Sequence, residues 1–188
     1  SLFDIKGTLV ISGGDLTKLT IGEESTNTAN KQVLLSVAGG TLEINNNVLF
    51  TAIVNTVGGY GSVISAKNST IILDNVTFEN CFNTSRTVEQ LYGGAIYAEN
   101  STTTINYANF DSCYVSGVNG FGGAIAVVGG EFNLSGGAFV ENEVNCSGNA
   151  YGGAVYATGA EINIVCVDGG LEWTSNQAKI GGAIALQN

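Results

Sequence analysis

Apolar and polar positions alternate in short bursts that return about every thirty residues along this chain. One set pairs apolar residues two apart: Ile64/Ala66, Ile96/Ala98, Ile125/Val127, Val155/Ala157 and Ile184/Leu186. A second set follows within each unit: Leu9/Ile11, Leu42/Ile44, Ile71/Leu73, Thr103/Ile105, Phe132/Leu134 and Ile162/Ile164. A period of two predicts a strand with one buried face, and only Thr103 breaks the apolar rule. Five residues beyond each second pair stands a large apolar side chain, Leu16, Leu49, Phe78, Phe110 or Phe139. In the last unit Trp173 arrives four residues late, which marks an insertion at Val165-Cys166-Val167-Asp168. No segment carries a helical period. Polar stretches at 23–31, 83–90 and 142–149 share a phase and are expected as variable loops on one side.

A glycine tetrad punctuates the units: Tyr92-Gly93-Gly94-Ala95, Phe121-Gly122-Gly123-Ala124, Tyr151-Gly152-Gly153-Ala154 and Ile180-Gly181-Gly182-Ala183, with a degenerate copy at Tyr60-Gly61-Ser62-Val63. The spacing stays between 29 and 32 residues. Such regularity predicts a solenoid, and parallel strands without helices make it an all-β, right-handed parallel β-helix. Residues 1–188 hold six complete coils and the first strand of a seventh, as one domain or as an excerpt of a longer solenoid. At ~4.8 Å per coil the rod is ~30 Å long, with a side-chain-filled interior. The first glycine of each pair is expected to turn a corner that a Cβ would penalise, and the second to fit a tight wall. Neither a dinucleotide fingerprint nor a Gly-Lys-Ser/Thr follows any copy.

The repeats resemble those of the polymorphic outer membrane proteins of Chlamydia and related surface-adhesin passengers, which carry Gly-Gly-Ala-(Ile/Leu/Val) and Phe-x-x-Asn motifs. The first motif stands at 93–96, 122–125, 152–155 and 181–184. The second is strict only at Phe139-Val140-Glu141-Asn142, with Trp173-Thr174-Ser175-Asn176 close to it; Phe78-Glu79-Asn80-Cys81 and Phe110-Asp111-Ser112-Cys113 put cysteine in place of asparagine. The likeness covers residues 60–188 and weakens before them. It implies an adhesive or structural module at the cell surface.

Composition adds an acidic character, with a net charge of −10 from 16 acidic and 6 basic residues and no histidine. Nucleic acid and anionic membrane surfaces both call for basic patches, so neither is an expected partner. No apolar run approaches a membrane span, and Ser1 to Val10 lacks the pattern of a signal peptide. The expected setting is extracellular or on the cell surface. Cations, basic proteins and neutral glycans remain open as ligands.

Cys81 and Cys113 both lie three residues past a ladder phenylalanine, which places them one coil apart and within the Cα range of a disulfide. A buried stack of free thiols is the other reading. Cys146 and Cys166 form a second disulfide candidate pair. Without histidine or close cysteine pairs a zinc site is not expected. Six sequons, at Asn68, Asn75, Asn83, Asn100, Asn133 and Asn145, are glycosylation candidates in a eukaryotic setting. Asn83 and Asn145 lead because they fall in expected loops, followed by Asn68 and Asn100, whereas Asn75 and Asn133 sit beside ladder residues.

Parallel β-helices also host polysaccharide lyases and hydrolases, whose sites need clustered carboxylates or a calcium-bound aspartate set. Charges here are sparse and scattered, so catalysis is not expected. Glu99, Glu131 and Glu161 recur at similar phase and suggest a short acidic ladder with weak calcium binding at most, and no cofactor is expected. An ice-binding threonine array is absent, since Thr102, Thr103 and Thr104 give way to Gly130/Glu131/Phe132 and Ala160/Glu161/Ile162 in the next two coils. Tyr97 and Tyr156 share an outward phase and are expected to line a ligand-facing groove that suits sugars. Neither end carries a polar cap, so partners are expected there: further repeats of a longer chain, or a second copy stacked head to tail. The primary reading is a structural or adhesive module that binds itself or a host protein. The alternative is a carbohydrate-binding β-helix, with a carbohydrate-cleaving one ranked behind it.

Overall fold

The computed structural model describes residues 1–14, 18–22, 32–166 and 170–188. They form a parallel β-solenoid of about six coils, with no helix among the described residues. The first face stacks Phe3–Ile5, Leu35–Ala38, Ile64–Lys67, the starts of Ile96–Asp111, Ile125–Val140 and Val155–Val165, and finally Ile184–Gln187. The register runs Leu35↔Ile64↔Ile96↔Ile125↔Val155↔Ile184, with Val37, Ala66, Ala98, Val127, Ala157 and Leu186 in the next inward row. Each row is the period-two alternation repeated coil after coil.

The second face stacks Leu9, Leu42, Ile71, Thr103, Phe132 and Ile162, with Ile11, Ile44, Leu73, Ile105, Leu134 and Ile164 beside them. Thr103 keeps its place in the row: it is completely buried, and its hydroxyl has no partner. On the third face the interior row is Ile21, Phe50, Phe78, Phe110, Phe139 and Trp173. Ring centroids along it lie 5.3, 4.8, 4.9 and 4.3 Å apart with interplanar angles of 13° or less, a stack that adds to what burial of the rings contributes. Phe50 takes the place expected for Leu49, because Asn46 and Asn47 add a residue at the corner and shift the register between Asn45 and Val48. Leu16 lies outside the described residues, and Ile21 holds the rung on that coil.

Two of the polar stretches expected as loops contain strands of a fourth face: Val54–Asn55, Phe82–Thr84, Tyr114–Gly117 and Glu143–Cys146. The third stretch, 23–31, lies outside the described residues, as does the 167–169 part of the insertion. A short fifth face, Gln90–Tyr92, Asn119–Phe121 and Ala150–Tyr151, closes three of the coils, with single bridges from Tyr60 and Ile180 extending it. Between these last two faces Leu91, Val115, Val144, Cys146 and Ala150 make a second, smaller core.

Corners are held in the left-handed region. The first glycine of every pair is there, from Gly61 at φ 56° to Gly122 at φ 71°. The second glycine answers a different demand, since a Cβ on Gly123 would sit 1.9 Å from the Gly153 carbonyl oxygen of the next coil. Another corner row runs Gly39, Asn68, Asn100, Gly129 and Gly159, all at positive φ, where asparagine tolerates what glycine adopts freely.

Candidate functional site

The interior corner after the ladder ring explains the Phe-x-x-Asn motif. Asn142 is fully buried; its Nδ2 donates to the Phe110 carbonyl at 2.9 Å, and Asn176 Nδ2 donates to the Phe139 carbonyl at 2.8 Å. Asn142 Nδ2 also donates to Asn176 Oδ1 at 2.9 Å, so the two amides form a ladder. Cys113 and Cys81 occupy the same corner one and two coils earlier, with Sγ 3.6 Å from the Phe78 carbonyl and 3.8 Å from the Phe50 carbonyl. All four side chains therefore reach the carbonyl of the ladder residue one coil back.

The expected Cys81–Cys113 disulfide is not formed; both are free, buried thiols. In-register stacking translates one side chain onto the next by ~4.8 Å with parallel Cα–Cβ bonds, whereas a disulfide needs Cβ atoms about 3.5–4.5 Å apart and converging. Burial pushes the Cys113 thiol well above its ordinary value, and hydrogen bonding to Cys81 adds to the effect. The Cys146–Cys166 bond is absent too. Cys146 is a free thiol buried in the second core, and Cys166 is exposed on the outer surface.

Among the sequons, Asn83 is overturned as a glycosylation site. It is fully buried, and its Nδ2 donates to the carbonyls of Gly59, Tyr92 and Gly93 at 3.2, 3.1 and 3.2 Å, tying the fourth face to the fifth. Asn55 does related work one coil earlier, with Nδ2 2.6 Å from the Gly61 carbonyl. Asn145, Asn68 and Asn100 are exposed, and so is Asn75, which turns a corner at φ 54°. Asn133 is half-buried and donates to Glu131 at 3.0 Å.

On the outside, rings at the glycine corner make a second aromatic row, Tyr60, Tyr92, Phe121 and Tyr151, with centroids 5.9, 4.7 and 5.7 Å apart. Tyr97 and Tyr156 lie on the outer side of the first face at one phase, in register with Ala126 between them. They do not line one groove together: Tyr156 borders a cavity of about 310 Å³ at the last coil with Tyr151, Ile180 and Gln187, and Tyr97 does not. The corner rings lean over them, Tyr97 lying 4.6 Å from Tyr60 and Tyr156 lying 5.0 Å from Phe121, and their exposures fall to 7% and 4%. Tyr97 donates to Glu99 Oε2 at 3.1 Å, and Tyr156 to Gln187 Oε1 at 2.8 Å. Burial raises both phenols above their usual range.

Glu99 does not belong to an acidic ladder. It pairs in register with Lys67 on one side and Val128 on the other, and its Oε1 lies 2.8 Å from Lys67 Nζ. The lysine's hydrogen bond holds the Glu99 carboxyl below the usual range. Only Glu131 and Glu161 stack, three residues further round the coil. In register with them stand Thr102, Thr70, Thr41 and Thr8, a four-rung threonine row that precedes the coils compared in the sequence. Its neighbours two residues on, Val10, Glu43, Ile72 and Thr104, share no chemistry, so the row does not widen into an array. Among the described residues no three His, Cys, Asp or Glu side chains gather as a metal site, and no helix is long and apolar enough to cross a membrane.

No family model, curated protein or solved structure matches this chain.

Proposed function

We propose that the chain is an extracellular structural or adhesive module, a rod of stacked coils whose open first and last coils engage further coils, in a longer polypeptide or in a neighbouring copy. The contrast between middle and end rungs carries this reading. Ile96, Ile125, Phe78 and Phe110 are completely buried, whereas Leu2 and Phe3 at one end are 70% and 54% exposed and Ile164 and Leu186 at the other are 38% and 62% exposed. Open strand edges flanked by apolar side chains are templates for pairing. Head-to-tail contacts that do not close build filaments. The acidic composition and the likeness of the Gly-Gly-Ala repeats to surface-adhesin passengers support an exterior setting.

Light scattering coupled to size exclusion over a concentration series, with electron microscopy of the same fractions, tests it. The expected result is mass that grows with concentration and rods with a subunit repeat near ~30 Å. A single species of monomer mass at every concentration would sink the proposal.

A further inference from the structure

The outer aromatic row has two ends: Ile180 follows Tyr151 in register, whereas among the described residues no ring precedes Tyr60. Ring stacking covers the faces of Tyr92 and Phe121 on both sides, because each has a ring before and after it. Tyr60 is different. Its ring contacts are to Tyr92 at 5.9 Å and Tyr97 at 4.6 Å, both on the following coil, and it stays 49% exposed.

The outer side of the first face is hollow beside it. Ser65 and Ser36 stand in register with Tyr97, so small hydroxyl side chains occupy the rungs that would otherwise carry a ring or its neighbour. The result is a cavity of about 170 Å³ whose lining includes Gln32, Val33, Val57, Gly58, Tyr60 and Ser65. The lining side chains are uncharged, and the Ser1 α-amino group at the rim donates to Gln32 Oε1, leaving the Gln32 amide N–H groups to face a ligand. This chemistry selects a class of ligand. An aromatic face is negative at its centre and attracts the C–H bonds of a saturated ring, while amide and hydroxyl groups at the rim exchange hydrogen bonds with ring hydroxyls. A concave site with an apolar wall and a few convergent polar groups is the usual form of a small-ligand site.

We propose that the open face of Tyr60 is a subsite for one pyranose unit of a neutral glycan, with Gln32 and Ser65 at its polar rim. The site borders the first coil, whose Ser1 lines it, and it is read out by sugar-induced shifts of named resonances rather than by mass. It also differs from the cavity beside Tyr156 at the last coil, with which it shares no residue.

The test is an NMR titration of the intact chain with neutral oligosaccharides: cellohexaose, laminarihexaose, mannohexaose and chitohexaose. At least one is expected to shift the resonances of Tyr60, Gln32 and Ser65. Tyr60→Ala should weaken that binding at least about tenfold, whereas Tyr60→Phe and Tyr60→Trp, which keep a ring face, should stay within about threefold. Tyr151→Ala, which alters the same ring row away from the cavity, separates loss of the subsite from a general loss of order and should leave the affinity unchanged. The proposal is overturned if none of the four sugars shifts these resonances, if Tyr60→Ala binds as the parent does, or if Tyr60→Ala and Tyr151→Ala lose affinity equally.

Discussion

Cys113 and Asn142 occupy one interior corner on successive coils and make the same contact through different atoms. Asn142 Nδ2 donates to the Phe110 carbonyl at 2.9 Å, Cys113 Sγ lies 3.6 Å from the Phe78 carbonyl, and the Cys113 N–H donates to Asn142 Oδ1 at 3.0 Å. An amide is a strong donor and a thiol a weak one. Asn142→Ala strands a buried carbonyl and a buried N–H and should cost about 3 kcal/mol. Cys113→Asn extends the amide ladder and should leave stability unchanged or raise it by about 1 kcal/mol. Urea midpoints at constant slope measure both.

Stability should fall in alkali. Burial holds the Cys113 thiol above its ordinary 9.0 and raises the Tyr97, Tyr92 and Tyr156 phenols above 10.0. These groups keep their protons in the folded chain at a pH where the unfolded chain has lost them, so unfolding releases protons. The stability is full below about pH 9 and is lost progressively above it. Urea midpoints across that range measure the slope, and Cys113→Ala should flatten it. Because Cys81, Cys113 and Cys146 are free thiols, a reductant should leave the thermal midpoint where it was.

Two glycine substitutions separate crowding from conformation. Gly123→Ala places a Cβ 1.9 Å from the Gly153 carbonyl oxygen and 2.7 Å from Glu143 N, and should abolish folding or cost on the order of 4 kcal/mol. Gly159 has open space around it and φ +60°, so Gly159→Ala should cost only about 1 kcal/mol. Gly159→Asn should come within about 0.5 kcal/mol of the parent, because Asn68 and Asn100 already stand in that row at φ 49° and 47°. Thermal denaturation of the three variants checks the ranking.

Tyr97 should behave as a packing residue. Tyr97→Ala removes a ring that touches Tyr60 and Tyr92 and should cost about 3 kcal/mol, whereas Tyr97→Phe loses only the bond to Glu99 and should cost less than about 1 kcal/mol. Urea unfolding measures the difference, and equal costs would contradict the packing role.

The second face, and the first face from Ile64 onward, are legible in the sequence because their interior rows alternate at a period of two and stack about thirty residues apart, whereas the Phe3/Ile5 and Leu35/Val37 rungs precede the glycine tetrads that mark the phase. It hid the fourth face. There Asn55 and Asn83 point inward to bind backbone carbonyls, so a buried strand read as a polar loop and a buried amide read as a glycosylation site. Alternation places Tyr97 on the outer side correctly, yet it carries no information about which corner ring leans over that side. The five-residue spacing points to Leu49 in place of Phe50, because one extra residue at Asn46-Asn47 moves the phase, a shift only coil pairing reveals. Glu99 and Glu131 are 32 residues apart and looked equivalent, but they fall on different faces.

Sedimentation velocity of the parent chain beside a Phe3→Lys/Leu186→Lys variant decides whether the open coils are interaction surfaces. Both substituted side chains face the interior row of an end coil and are more than half exposed. The parent should sediment faster as its concentration rises, and the variant should stay at monomer mass because each added charge would have to be desolvated on pairing. A parent that sediments as a monomer throughout, or a variant that assembles as well as the parent does, would contradict the account.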